Sequence, residues 1–246
     1  MKDNETLQRY EFKYFLPKKL SDQVKIYANK FMEIDDFANI NSNNNYFVRS
    51  IYFENRINSN FDEKVDGFRI RKKFRIRYYN LDLKNGPLYL ETKGRNLERT
   101  YKRRTKIDLE DIDYIKNKYS LTKLINKYPN NDVINEFIFE YLRKNLQPKI
   151  IVDYKRQPFV SKHGLYFRLT FDQNIACTNL DNNFREIPNN NSYLCKAGYT
   201  ILEVKFERSI PAWFHRVIQT YDLKRESISK FVLGMCYLNL GKESSD

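Results

Sequence analysis

Arg69, Arg71, Lys73, Arg75 and Arg77 occupy every second position of the segment Arg69-Ile70-Arg71-Lys72-Lys73-Phe74-Arg75-Ile76-Arg77. Side chains alternate faces along a strand, so an extended backbone sets these five cations in one row. The opposite row, Ile70, Lys72, Phe74, Ile76 and Tyr78, is apolar except for Lys72. A row of this kind suits the neutralisation of a polyanion, because guanidinium forks and ammonium groups are strong partners for phosphate-type oxygens. An amphipathic strand with its charges in water has the same pattern. The weight therefore falls on whether other segments repeat it with both signs of charge.

They do. Arg9-Tyr10-Glu11-Phe12-Lys13-Tyr14-Phe15-Leu16 sets Arg9, Glu11 and Lys13 against Tyr10, Phe12, Tyr14 and Leu16. Leu88 to Lys93 puts Glu91 and Lys93 in step, after the turn signal Asn85-Gly86-Pro87. Thr100 to Ile107 is rich in Lys102, Arg103, Arg104 and Lys106, and its register leaves open whether Lys102 with Arg104, or Arg103, joins the charged face. Tyr166, Arg168, Thr170 and Asp172 oppose Leu165, Phe167, Leu169 and Phe171, and Glu203, Lys205 and Glu207 oppose Leu202, Val204 and Phe206. With strands at Tyr46 to Phe53 and Lys149 to Tyr154, Arg156 just beyond, the count is about eight.

Helical periods separate them. Pro17 opens one with Leu20, Val24, Tyr27 and Phe31 inward. Residues 110 to 146 give two, divided at Pro129, and the chain ends in helices over Pro211 to Lys224 and Ser227 to Asn239. Asp66-Gly67 reads as a tight turn. Ser227 is a cap that makes Lys230 the third helical residue; with Ser229 as cap, Lys230 is the first. Either way a cation opposes the helix dipole there, unless an anion shares the site. These helices can cover the apolar faces from outside and leave the charged rows to face one another in a wet barrel interior, with Glu11, Glu91, Glu203 and Glu207 as interspersed carboxylates.

Composition bounds the rest. The 246 residues, 41% apolar and 15% aromatic, suffice for a large core, and neither Pro nor Gly clusters into a linker. One domain over 1–246 is expected, without a membrane-spanning or signal segment and in the cytoplasm. Cys177, Cys195 and Cys236 form no close pair, which argues against disulfides and thiolate metal sites; His163 and His215 read as loop or helix-surface residues. A net charge of +13 implies a polyanionic partner, although Asn-rich runs such as 39–45 point to a base composition that also inflates lysine. Such a bias would not place arginines at alternate strand positions.

Six stretches in order carry a resemblance: Arg9-Tyr10-Glu11-Phe12-Lys13, Arg75-Ile76-Arg77, Leu90-Glu91-Thr92-Lys93, Arg168 in its strand, Leu202-Glu203-Val204-Lys205-Phe206 and Ser229-Lys230-Phe231. Together they resemble the VTC domain of polyphosphate polymerases, in the triphosphate tunnel metalloenzyme superfamily. The resemblance implies an α+β fold, a closed eight-stranded antiparallel β-barrel forming a charged tunnel, with helices packed outside and a C-terminal helix at the tunnel mouth. It implies transfer of the γ-phosphoryl group of ATP or another nucleoside triphosphate to polyphosphate, with Mn or Mg, and pyrophosphate or triphosphate as related ligands. By position it assigns phosphate binding to Lys13, Arg75, Arg77, Lys93, Lys102, Arg104, Arg156, Arg168, Lys205 and Lys230. Of these the resemblance makes Arg75, Arg77, Lys93 and Lys230 catalytic, and it assigns the metal to Glu203. Related hydrolases carry Glu-x-Glu-x-Lys in the first strand, and Arg9 replaces the first carboxylate here, which puts a second metal and hydrolysis in doubt.

Three other functions compete: a triphosphatase, a non-catalytic polyphosphate sensor and a nucleic-acid binder. The last would interleave aromatic residues with the cations, whereas Tyr10, Phe12, Phe74, Phe167 and Phe171 stand opposite them, so no nucleic-acid partner is expected. Polymerases of the family are often tethered to membrane channels, so a membrane partner protein of unknown identity is a further expectation.

Overall fold

The computed structural model describes residues 10–39, 44–80, 86–97, 99–162, 166–180 and 193–241. The readings made at Arg9, at residues 40–43, at Asn85, at His163 and Leu165, and across most of the 179–191 loop lie outside these residues. In chain order the elements are β1 (Tyr10–Pro17), α1 (Lys18–Phe31), β2 (Met32–Ile34), α2 (Asp36–Asn39), β3 (Tyr46–Glu54), α3 (Ser59–Val65), β4 (Ile70–Tyr79), β5 (Leu88–Asn96) and β6 (Arg99–Ile107). There follow α4 (Asp111–Lys116), α5 (Leu121–Lys127), α6 (Asp132–Lys144), β7 (Gln147–Ser161), β8 (Phe167–Asn179), β9 (Tyr193–Leu194), β10 (Tyr199–Phe206), α7 (Ala212–Thr220) and α8 (Lys230–Tyr237).

Hydrogen bonding joins eight strands in the order β1-β10-β8-β7-β3-β4-β5-β6, with β2 on β7 and β9 on β8. The strand number and the antiparallel pairing agree with expectation. Closure does not follow from the ladder, because among the described residues β1 and β6 end the order without pairing to each other. Lys102, Arg103, Arg104 and Lys106 load the β6 edge with charge, which works against its use as a pairing template.

The chain folds as two compact units. One comprises Met1–Phe47, Tyr154–Ile175 and Leu194–Ser229, the other Val48–Asp153, Ala176–Tyr193 and Lys230–Asp246. In the second unit, Ile51 and Phe53 of β3, Phe74, Ile76 and Tyr78 of β4 and Leu88 and Leu90 of β5 form one core with Ile134, Phe137 and Tyr141 of α6. Phe137 meets Phe53 and Phe74 edge-on at 5.1 and 5.4 Å. The helix thus covers the apolar face of the strands, as the alternation requires. Lys72, the one polar residue of that row, lies 3.1 Å from Glu136 and 3.4 Å from Glu140 of α6, so its charge is matched by the covering helix. In the first unit, Val24 and Ala28 of α1 and Phe214 and Val217 of α7 pack on Tyr14, Leu16, Leu169, Phe171, Leu202 and Val204.

Several boundaries differ from the sequence reading, each for a local reason. The inward face of α1 is Ser21, Val24 and Ala28, while Tyr27 and Phe31 are exposed. Small residues allow closer approach to the strands, and Phe31 stacks on Trp213 at 4.8 Å. Asp66-Gly67 ends a helix that alternation did not reveal. Gly67, at φ 74, lets the Phe68 N–H donate back to the Glu63 carbonyl, a left-handed C-terminal cap. The first helix expected in 110–146 is broken between α4 and α5, where Asn117 is extended and caps the next turn through Tyr119 N–H. β7 runs well past Tyr154, through Pro158, whose missing donor interrupts a strand pattern in sequence. Ser227 is not the cap of α8: the Glu226 N–H donates to the Lys13 carbonyl at 2.9 Å and the helix begins at Lys230, as in the reading with Ser229 as cap.

Thr92 gives a stability test. It is fully buried on the apolar side of β5, and among the described residues its hydroxyl has no hydrogen-bond partner. Thr92→Val removes that desolvated hydroxyl at nearly constant volume, so it should stabilise the protein by on the order of 1 kcal/mol. Thermal denaturation should show a melting temperature about 2–4 °C higher. A lower one would mean the hydroxyl is satisfied.

Candidate functional site

Antiparallel partners share a face, so the registers of the second unit decide which charges stand together. Ser50 and Tyr52 of β3 face Arg77 and Arg75 of β4. Lys73, Arg75 and Arg77 are opposite Lys93, Glu91 and Tyr89 of β5, and these are opposite Lys102, Arg104 and Lys106 of β6. The ambiguity at 102–104 resolves in favour of Lys102 and Arg104. Arg103 lies on the helix-covered side, 2.6 Å from Glu136.

At the centre of this face stands Glu91, with 0% exposure. Arg75 donates to its Oε2 from Nε at 2.8 Å and lies 2.7 Å away through Nη2, and Arg77 Nε is 4.0 Å from the same oxygen. Lys102 Nζ is 2.7 Å from Oε1. Burial alone would raise the Glu91 pKa, but the charges of Arg75, Arg77 and Lys102 hold it well below the usual carboxylate range. Burial pushes Lys102 down to about 7, against the pull of Glu91 and with help from Arg75 and Arg77. Arg75 Nη1 donates to Tyr52 Oη at 3.0 Å and Arg77 Nε to Ser50 Oγ at 3.1 Å. Burial would raise the Tyr52 pKa, yet Arg75, Arg77 and Lys230 lower it. Lys93 is half-buried, and Arg104 is exposed with its guanidinium 4.5 Å from the Tyr89 ring centre.

Lys230 is the first residue of α8 and is 9% exposed. The helix packs through Phe231 on Tyr52, ring centres 5.2 Å apart. Gly234 permits its close approach, since a Cβ there would lie 2.8 Å from Ile150 and 3.3 Å from Cys177. Lys73 Nζ stands 5.2 Å over Phe231 and 5.9 Å over Tyr52. Lys73, Arg75, Arg77, Lys93, Lys102 and Arg104 therefore occupy one face of three adjacent strands.

The first unit has its own cluster. Lys13 of β1 is opposite Glu203 of β10, and Glu11 is opposite Lys205; Glu203 and Lys205 are opposite Thr170 and Arg168 of β8. Arg156 makes a fork on Asp172, with Nε at 2.6 Å and Nη2 at 2.7 Å, and donates to Glu203 Oε2 at 3.3 Å. Burial works against the Arg156 charge, but Asp172, Tyr154 and Glu203 raise its pKa. Lys13 lies 3.0 Å from Glu11 and 4.0 Å from Glu203, and donates to the Ile228 carbonyl at 3.0 Å. Lys205 is 3.7 Å from Glu203; burial lowers its pKa and the two glutamates oppose the fall. Arg168 is 3.1 Å from Asp35, on the loop after β2.

The cations assigned in this unit, Lys13, Arg156, Arg168 and Lys205, thus gather around Glu203, or one pair removed from it. Among the described residues no group of three or more His, Cys, Asp or Glu side chains could cage a metal. Glu203 is 6% exposed, and its nearest cations are 3.3 to 4.0 Å away. This donor set fits a hard divalent ion that takes one carboxylate from the protein and its other oxygens from water and phosphate.

Tyr52, Ser50 and Asp172 were not singled out as site residues from sequence, although Asp172 was read as part of the charged row of its strand. The alternation Ser50, Tyr52 against Ile51, Phe53 carried the signal for the first two. For Asp172 the missing information was its partner, because Arg156 seemed to stand beyond the preceding strand and is in fact inside it.

No curated protein matches the chain in sequence. Among solved structures, a protein from Hippeastrum proposed as an adenylyl cyclase and described as having a dominant triphosphatase activity is similar, at 13% identity and a TM-score of 0.55. The match covers 94% of this chain and 96% of that one. A proposed adenylate cyclase from Bacillus halodurans is similar at 11% identity and a TM-score of 0.53, over 91% of this chain and 94% of that one. These likenesses show that the chain shares the fold of those two proteins. The family model described as the VTC domain matches residues 8–239, most of the chain, and the chain therefore belongs to the VTC domain family.

Proposed function

We propose that this chain is a polyphosphate polymerase, which moves the γ-phosphoryl group of a nucleoside triphosphate onto the end of a polyphosphate chain and works as one domain over residues 1–246. The observation that carries this reading is the face formed by Lys73, Arg75, Arg77, Lys93, Lys102 and Arg104, in register on three strands around a single buried carboxylate. Successive phosphates of a chain present successive anions, which such a ladder can meet one after another. Arg75, Arg77, Lys93 and Lys230 would neutralise the phosphoryl oxygens as the group moves. Lys13, Arg156, Arg168 and Lys205 would hold phosphates in the first unit.

In the reaction an oxygen of the acceptor's terminal phosphate bonds to the γ-phosphorus. The bridging oxygen to the β-phosphate leaves with the electron pair on the nucleoside diphosphate. The acceptor oxygen is already anionic, so no general base is required. Water as acceptor would need one, or a metal to activate it. Arg9-x-Glu11-x-Lys13, with a cation where hydrolases of the superfamily have a carboxylate, favours phosphate as acceptor. A Mn or Mg ion on Glu203 would add charge neutralisation at the phosphate oxygens.

The triphosphatase activity described for the Hippeastrum protein favours the second reading, hydrolysis of triphosphate, and a single assay separates the two. The chain is incubated with ATP and Mn²⁺, and long polyphosphate and free phosphate are measured separately. Polyphosphate formation supports the polymerase; free phosphate alone makes the protein a triphosphatase; binding of polyphosphate without turnover makes it a sensor. In the same assay Glu203→Gln should reduce metal-dependent turnover roughly 100-fold or more while leaving tripolyphosphate binding in place. Turnover near wild type would remove Glu203 from the reaction.

Lys102 predicts a pH dependence. Its pKa is depressed to about 7 from 10.5, so the folded protein binds fewer protons than the unfolded chain across that interval. This group's contribution to stability therefore rises with pH through the interval and is least favourable below it. A bound polyanion favours the charged ammonium, so binding takes up a proton above pH 7 and affinity falls as pH rises. Titration calorimetry of tripolyphosphate at pH 6.5 and 8.5, in metal-free buffer, should show a larger fall for wild type than for Lys102→Arg, which stays charged. Equal falls in the two proteins would mean that Lys102 does not meet the ligand.

A further inference from the structure

At one end of the charged face of the first unit, the turn over residues 195–198 brings Lys196 against β1 and β10. The Lys196 ammonium stands 3.7 Å from the centre of the Phe15 ring and 4.9 Å from that of Tyr199. The two rings meet edge-on, their centres 6.5 Å apart. Phe15 follows Glu11 and Lys13 on the same face of β1, so it lies about 7 Å beyond Lys13 along the strand.

Two features distinguish this lysine. The other cations of the face are matched by carboxylates: Lys13 by Glu11, Arg156 by Asp172, Arg168 by Asp35 and Lys205 by Glu203. Among the described residues the contacts of Lys196 are the two rings, which attract a cation without cancelling its charge. An anion arriving there meets a positioned cation and, among the described residues, has no ion pair to break. The backbone gives the second feature. Ten described residues other than glycine take a positive φ, and seven are asparagine, the exceptions being Leu97, Asp222 and Lys196 at φ 54. Asparagine tolerates this conformation far better than lysine does. A chain that places asparagine at most such positions and lysine at this one gains something from the lysine side chain.

We propose that Lys196, held by Phe15 and Tyr199, engages a further phosphate of a polyphosphate chain, beyond those assigned to Lys13. The inference rests on the polyphosphate-binding reading above and extends it to how chain length is sensed. A nucleobase would need a bare ring face to stack on, and the ammonium covers that of Phe15; an anion needs the ammonium itself.

The test compares wild type with Lys196→Asn and Lys196→Arg. Titration calorimetry measures the affinity for tripolyphosphate, for ATP and for polyphosphate of many tens of units, and thermal denaturation is run without ligand. Lys196→Asn should weaken long-chain binding about tenfold, the equivalent of one charge-assisted contact, and change tripolyphosphate and ATP binding by no more than about twofold. Lys196→Arg should retain the long-chain affinity. Free Lys196→Asn should melt at the same temperature as wild type or higher, because asparagine suits the turn, so the loss cannot come from an unfolded turn. Unchanged long-chain affinity in Lys196→Asn, or equal losses for tripolyphosphate and the long chain, overturns the proposal while polyphosphate binding stands. A loss confined to ATP overturns it in favour of a base contact. A wild-type protein that binds neither polyanion overturns the functional reading and this inference together.

Discussion

A carboxylate with none of its surface in water is the point on which the charged face of the second unit depends. Glu91 could not remain ionised there alone, since burial of an unpaired charge costs several kcal/mol. Arg75, Arg77 and Lys102 could not be gathered within 4 Å of one another's partner without it. Each makes the other tolerable. The same contacts fix the registers of three strands, because a slip of one residue would turn Glu91 into the apolar core and leave the guanidinium groups unpaired.

The opposite side of those strands applies the same rule with the order reversed. There the surface is apolar, and the few charges that fall on it, Lys72 and Arg103, are met by Glu136 and Glu140 of α6. Ion pairs of this kind, half-exposed, contribute little stability. Their effect is on alignment: α6 can bury Ile134, Phe137 and Tyr141 against β3, β4 and β5 only where its glutamates coincide with the two cations. Lys72, an interruption of an apolar row in sequence, is thus one end of a contact that sets the helix against the strands.

Much of this was legible because strand alternation is local. The face containing Arg75, Arg77 and Glu91 follows from spacing alone, as does the opposing Phe74, Ile76 and Tyr78. What spacing does not carry is which strand lies beside which, and the register of β6 shows the limit: Lys102, Arg103 and Arg104 in succession read equally well either way until Glu91 and Glu136 claim one side each. Helix faces failed differently. In α1 the largest apolar residues looked like the core, whereas Ser21, Val24 and Ala28 are buried, Leu20 is partly so, and Tyr27 and Phe31 are outside. The start of α8 had two readings from sequence, with Ser227 or with Ser229 as cap, and the structure takes the second, in which Lys230 is the first helical residue.

The two units differ in how far their own side chains balance their charge. In the first, Lys13, Arg156, Arg168 and Lys205 meet Glu11, Asp172, Asp35 and Glu203, and the set is close to neutral as it stands. In the second, Lys73, Arg75, Arg77, Lys93, Lys102 and Arg104 share a face on which Glu91 is the central carboxylate, and burial, with Arg75 and Arg77 adding to it, lowers the Lys102 pKa to about 7. A balanced cluster has no electrostatic demand for a ligand, but its carboxylates can accept a divalent ion if the neighbouring cations turn to phosphate instead. An unbalanced one gains whenever an anion enters. On the proposed reaction the cations around Glu91 would meet phosphates, whereas binding around Glu203 would be an exchange in which phosphate replaces carboxylate as partner of Arg156 and Lys13, and Glu203 would then be the residue to hold a divalent ion.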